Sequence, residues 1–256
     1  MSLICSSPTH FSTTKGLMDQ SIWTLLSFGD AGWGDEFASG FLLTIKVSLA
    51  SYCVSVAIGL VAAVAKLSKS STARAIAEIY TTIVRAIPEL LLILLLYYAV
   101  ATSVSNLLIS AGIASKGFQI SPFIAAVAAL GFVSGAFMTE VFRAAFNGIP
   151  KGQTEAANAL GLGSLQTLRL VIFPQMVKRA IPGMANLWLS ITKETALISV
   201  LGSFHELLYV GYRAAANTKQ YSFFYGFTAA LFLLITLVSV LIIRRVESDL
   251  SKGYGK

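Results

Sequence analysis

Long apolar runs separated by short polar stretches dominate this chain, and five of them are long enough to be read as helices that cross a bilayer, which needs roughly 20 residues each. The first is "FLLTIKVSLASYCVSVAIGLVAAVA", residues 41–65, interrupted only by Lys46. The second, 75–101, carries Arg85, Pro88 and Glu89 inside it. The third covers 121–142, and the fourth, 181–202, is the least hydrophobic and contains Lys193 and Glu194. The fifth, 223–243, has no charge at all. Pro88 removes a helix hydrogen bond and is expected to kink or open the second span.

Composition supports the membrane reading. Of the 256 residues, 55% are hydrophobic and 12% charged, about half the charged fraction of a soluble domain, and the mean hydropathy is +0.74. The net charge of +7 would suit nucleic acid, so its placement matters. Lys66, Lys69 and Arg74 fall in the first connection; Arg143, Lys151, Arg169, Lys178 and Arg179 in the third; Arg244, Arg245, Lys252 and Lys256 in the tail. The leading segment has Lys15 against Asp19, Asp30, Asp35 and Glu36; the second connection has Lys116, and the fourth has Arg213 and Lys219. Rich and poor loops alternate, which places the N-terminus outside and the C-terminus inside. Nucleic acid is thereby excluded as a partner, and the lipid bilayer takes its place.

Other chemistry is sparse. Cys5 and Cys53 do not make a disulfide framework, and His10 and His205 are isolated, so neither a metal nor a cofactor is expected. The polar N-terminus lacks the order of a cleaved signal. Trp23, Trp33 and "GDAGWGDEF" fit an outer interface, and Lys46 can snorkel outward. The expected division is a periplasmic or interfacial segment 1–38, a transmembrane part 39–245 with a cytoplasmic loop 143–180, and a cytoplasmic tail 246–256.

Inside that loop lies "TEAANALGLGSLQTLRLVIFPQ", 154–175. Thr154 is read as an N-cap with Glu155 in the first helical turn. Gly161 would end this short helix in a left-handed conformation. Ser164 would cap a second helix with Leu165, Leu168, Val171 and Ile172 on one apolar stripe, closed by Pro174. On physics alone an interfacial loop without a partner is as good a reading.

The residue order tips the balance. It resembles the cytoplasmic signature of ABC-importer membrane subunits: Glu-Ala-Ala, three residues, Gly, nine residues, Ile-x-Leu-Pro. Glu155, Ala156, Ala157, Gly161 and Pro174 match, with Val171 and Phe173 in place of the usual Ile and Leu. "RAIPELLLILLLYY" (85–98), "GFVSGAFMTEVFRAAFNGIPKGQTEAA" (131–157) and "NLWLSITKETALISVLG" (186–202) resemble the polar amino-acid uptake branch, in particular its histidine, lysine, arginine, ornithine and opine subunits. The resemblance covers roughly residues 39–245. It implies an all-α, type I ABC-importer permease fold of about five transmembrane helices in a bacterial inner membrane. It also implies that Glu155, Ala156, Ala157 and Gly161 form a coupling helix seated on a cytoplasmic ATPase. The implied partners are two ATPase copies, a periplasmic solute-binding protein and a second, similar permease subunit. One sequence leaves open whether that subunit is identical or different; a different one is preferred. The chain is not expected to be an enzyme, since it contains no G-x-x-x-x-G-K-[ST] phosphate cradle.

Ionisable residues within spans mark solute paths by default. Glu89, at mid-depth after Pro88, is the first candidate for a cationic solute, against a structural Arg85–Glu89 pair at i, i+4. Glu194 is the second: it is adjacent to Lys193 and about 100° from it round the helix, so that one can line the path and the other face a neighbour. Thr192, Thr195 and Ser199 are read as packing hydroxyls, and Glu140–Arg143 as an interfacial salt bridge. Permeases for glutamate, glutamine or other polar amino acids stand as an alternative, and a secondary carrier or channel as a weaker one. A serine nucleophile at Ser39 or Ser134 lacks a base in any span and is set aside.

Overall fold

A computed structural model describes residues 22–29, 32–115, 118–201 and 204–252. The readings of Cys5, His10, Lys15, Asp19, Asp30, Lys116 and Lys256 lie outside the described residues, as does the side chain of Trp23. Among the described residues the structure is entirely helical. After a single turn, α1 (Ile22–Leu25), the chain enters α2 (Gly34–Leu67). Asp35 and Glu36 in its first turn and Lys66 in its last complement the helix dipole.

The second predicted span is broken in two. Helix α3 (Ser71–Ala86) starts from Ser70, whose hydroxyl accepts the Ala73 N–H at 3.3 Å. It stops where Ile87 turns extended, and α4 (Glu89–Ser110) begins directly after Pro88. The missing Pro88 N–H and the bias against helix in the residue before proline account for the break.

Helix α5 (Pro122–Asn147) is the centre of the bundle, with fourteen buried residues from Ala125 to Ala145. It packs tightly on α2 through small residues. A Cβ on Gly59 would lie 2.7 Å from the Met138 side chain, and one on Gly131 would lie 2.6 Å from that of Val54. In lipid, where burial of apolar surface adds little, such close backbone approach is what holds helices together.

A short helix, α6 (Lys151–Ala159), and a single turn, α7 (Ser164–Thr167), follow α5. Five residues of π-helix, Leu168–Ile172, then lead without interruption into α8 (Phe173–Glu194). The fourth predicted span is therefore the latter part of a longer helix, and it ends in a 3-10 turn, Thr195–Leu201. The chain finishes with α9 (Leu207–Thr218) and α10 (Tyr221–Lys252). Among the described residues, four helices are long and apolar enough to cross a membrane: α2, α4, α5 and α10. Helix α8 does not join them: besides Lys178, Arg179, Lys193 and Glu194 it carries Gln175, Asn186 and two prolines.

Aromatic contacts fix the order of the ends. Phe37 of α2 meets Phe224 and Phe227 of α10, with ring centroids 6.0 and 4.9 Å away. Towards the opposite end, the Trp188 indole donates to Ser239 at 2.9 Å and stands perpendicular to the Tyr52 ring, with centroids 5.5 Å apart. Trp33, read as an interfacial anchor, packs against the Phe37 cluster with the Arg213 guanidinium 5.9 Å from its ring centre.

Glu206, in the connection to α9, escaped the sequence reading. Its fully buried carboxylate accepts the N–H groups of Leu208 and Tyr209, both at 2.8 Å, while the Leu207 N–H donates to Thr44 at 3.2 Å. Burial pushes the carboxyl up to about 7, against the pull of the two N–H donors. The folded state then holds a proton that the unfolded chain releases at its ordinary, lower value. Stability from this group is complete below that lower value and is lost as pH rises through about 7. Melting temperatures of the purified complex between pH 4.5 and 8 should fall with pH more steeply for wild type than for Glu206→Gln. Parallel curves would mean that Glu206 does not titrate in this window.

Candidate functional site

Two places in the fold gather the residues that the sequence singles out: a pair of acids at the ends of α4 and α8, and an elbow between α5 and α8. Glu89 is the first residue of α4, where a carboxylate complements the positive end of the helix dipole. Glu194 is the last residue of α8, where the dipole opposes it. The Ser134 hydroxyl of α5 reaches Glu194 Oε2 at a long 3.5 Å. The two carboxylates, distant in sequence, are near enough to repel one another, and both are partly buried.

The Arg85–Glu89 pair does not form. The break at Ile87–Pro88 ends the helix on which i, i+4 spacing would bring them together. The Arg85 guanidinium lies instead over the Phe137 ring, 5.6 Å from its centre. Glu89 has no ion-pair partner among the described residues. Lys193 and Glu194 do point to different neighbours: Lys193 is exposed and lines a groove with Leu208, Tyr225 and Thr228. It remains close enough to soften the Glu194 charge. Thr192, Thr195 and Ser199 donate to carbonyls one turn back along their own chain, as packing hydroxyls do. A cation placed between Glu89 and Glu194 would relieve like-charge repulsion and an adverse dipole together.

The elbow matches the sequence reading in part. Gly161 has φ +77°, and the Leu162 and Gly161 N–H groups donate to Ala157 and Asn158 at 3.1 and 3.0 Å. This is the Schellman arrangement that a glycine permits. The start of the helix differs: α6 begins at Lys151 behind Pro150, so Thr154 is an internal residue and not the cap. Pro150 stands at the N-cap, and no side chain caps the first turn. The second helix starts at Ser164, but the Gln166 side chain accepts the Gly163 N–H at 3.0 Å and does the capping there.

Pro174 does not close a helix. The Phe173 N–H reaches five residues back to Leu168, and this π-turn carries the helix past the proline. The predicted stripe is divided: Ile172 is buried, while Leu165 and Leu168 are exposed.

Ala157 is the buried anchor of α6, 2% exposed, whereas Glu155, Ala156 and Gly161 face outward. Glu155 makes no hydrogen bond or ion pair with the described residues. Leu160 and Leu165, 80% and 76% exposed, flank the glycine turn. Gln175 of α8 donates to Gln153 of α6 at 3.0 Å, holding the elbow to the bundle. The face offered mixes small and polar residues with the two exposed leucines, and the Glu155 carboxylate stands on it without a partner among the described residues.

A bundle of long apolar helices with a broken span and an outward elbow has the architecture of a polytopic membrane protein. A family model described as binding-protein-dependent transport system inner membrane component matches residues 55–252. The chain belongs to that family of ABC-importer permeases, which work in the inner membrane with a solute-binding protein and an ATPase. It is 40% identical to the nopaline transport system permease protein NocQ of Agrobacterium fabrum over 84% of this chain and 91% of that one. It is 36% identical to the histidine/lysine/arginine/ornithine transport system permease protein HisQ of Salmonella typhimurium, over 87% and 96%. A crystal structure of an amino acid ABC transporter with histidines superposes with a TM-score of 0.72 at 29% identity, covering 85% of this chain and 95% of that one.

Proposed function

We propose that this chain is the permease subunit of an ATP-driven importer for cationic amino acids or opines, and that Glu89 and Glu194 line its solute path. The observation that carries this reading is the convergence of two carboxylates from α4 and α8, neither of them in an ion pair among the described residues. An anionic solute such as glutamate would meet repulsion there. The names of the relatives, nopaline and histidine/lysine/arginine/ornithine permeases, support the same solute class.

In this reading the basic ends of the bundle face the cytoplasm, with the N-terminus outside and the C-terminus inside. Glu155, Ala156, Ala157 and Gly161 contact the ATPase, which supplies all the hydrolysis. Two ATPase copies serve this subunit and a second, different permease, and a periplasmic protein delivers the solute.

The test is uptake by the complete complex in proteoliposomes with its binding protein, offered labelled arginine, histidine, an opine or glutamate. Arginine, histidine or the opine should accumulate only with ATP inside the compartment that holds the ATPase, and glutamate should not. Transport of glutamate alone would sink the cationic assignment. Uptake driven by an ion gradient without ATP would sink the importer.

A further inference from the structure

Lys66 is a residue the site description leaves unused, and it is held between two carboxylates. It sits in the last turn of α2 with its side chain 4% exposed. Its Nζ lies 2.6 Å from Glu140 Oε1 on α5 and 2.8 Å from Glu78 Oε2 on α3. The other Glu140 oxygen accepts from Arg143, Nε at 2.8 Å and Nη2 at 2.7 Å. One buried ammonium thus ties three helices together, and the four charges cancel. Removing it would leave Glu140 without its buried partner, a costly loss.

The position of this clasp matters more than its strength. Along α5, Glu140 stands between Ser134, which reaches Glu194, and Pro150, where the coupling elbow begins. Along α3, Glu78 stands two turns before the Ile87–Pro88 break and Glu89. A displacement of the elbow pulls on α5 first, because the chain joins them through three residues. Only side-chain contacts can pass it to α3, and the ion pairs through Lys66 join α3 to α5 at the end nearest the elbow. The hinge before Glu89 lies at the other end of the same helix.

We infer that Lys66 is a positioning residue that transmits movement of the coupling elbow from α5 to α3, and so to the hinge that carries Glu89. This rests on the elbow and solute-path reading above. Coupling then depends on an unbroken Glu78–Lys66–Glu140 chain, and its loss should waste ATP rather than stop hydrolysis.

The experiment measures uptake and ATP hydrolysis in the same proteoliposomes, using the complete complex and its binding protein with labelled arginine. Lys66→Met should lower the solute moved per ATP by about tenfold, and Lys66→Arg should restore most of it. Each is within the range that residues outside the binding sites can shift coupling. Since Lys66→Met leaves Glu140 with Arg143 as its remaining partner and can fail to assemble, Glu78→Gln gives an independent reading. Glu78 is 67% exposed, so its substitution spares the fold and the Lys66–Glu140 pair. It should still lower solute per ATP about threefold. An unchanged ratio in Glu78→Gln overturns the proposal, whatever Lys66→Met does. Equal losses of uptake and hydrolysis in Lys66→Met, without recovery in Lys66→Arg, also count against it. If wild-type uptake is independent of ATP, the reading of the function fails instead.

Discussion

Glu155→Arg should reduce ATP-driven uptake by about thirtyfold or more, the loss expected when an interface residue worth roughly 2 kcal/mol is removed. The subunit itself should insert and fold as before. Glu155 is exposed in the middle of α6 and touches no partner among the described residues, so the fold loses nothing when it changes. Ala157 anchors the helix from beneath and the Gly161 turn fixes its end, which leaves the outward carboxylate in a rigid setting. Reversing the charge turns an attraction for the ATPase into a repulsion. The check is uptake by the reconstituted complex, with the amount of permease in the membrane and its co-purification with the ATPase followed in parallel. Full uptake by a normally expressed Glu155→Arg subunit would falsify the assignment of α6 as the coupling helix.

The second large effect belongs to the acid pair. Glu89→Gln should cut uptake of cationic solutes by about tenfold or more, as expected when one partner of a partly desolvated charge pair is lost. Glutamine keeps the size and the place at the start of α4 but removes the charge that a cation would meet. Glu194→Gln should act in the same direction. Because the two carboxylates feel one another, the double variant should lose less than the product of the single losses. Initial rates for labelled arginine over a range of concentrations, with the complex shown intact by gel filtration, decide the matter. Unchanged rates in Glu89→Gln would make that residue structural and leave selectivity to the binding protein.

Local rules make the glycine turn of the elbow and the broken span legible in the sequence. Pro88 announced the break, and Gly161 the left-handed turn, because each is a backbone property of one residue. The start of α6 lies ahead of the one that Thr154 suggests, because two local signals compete. Thr154 has a capping side chain, but Pro150 had already begun the helix. Pro174 misled in the opposite direction, since the cost of a proline inside a helix can be absorbed by one π-turn. What no local rule could supply was pairing across the chain. Glu140 and Arg143 are three residues apart and show as a pair in the sequence, whereas Lys66 is 74 residues from Glu140. Glu206 was hidden for a similar reason, because only the packing of α9 against α2 buries it. The convergence of Glu89 and Glu194 is likewise a tertiary fact.

The π-turn at Leu168–Ile172 changes what the length of the loop means. A five-residue hydrogen-bonded turn holds one residue more than an α-helix needs, so the helical phase slips there by about 100°. The spacing from Gly161 to Pro174 therefore specifies an angle as much as a distance. With one residue fewer, the helix could close as ordinary α-helix and lose almost no length. The elbow would then face another way. Kinship within such loops is better judged by the direction in which they aim their glycine turn than by the residues they share.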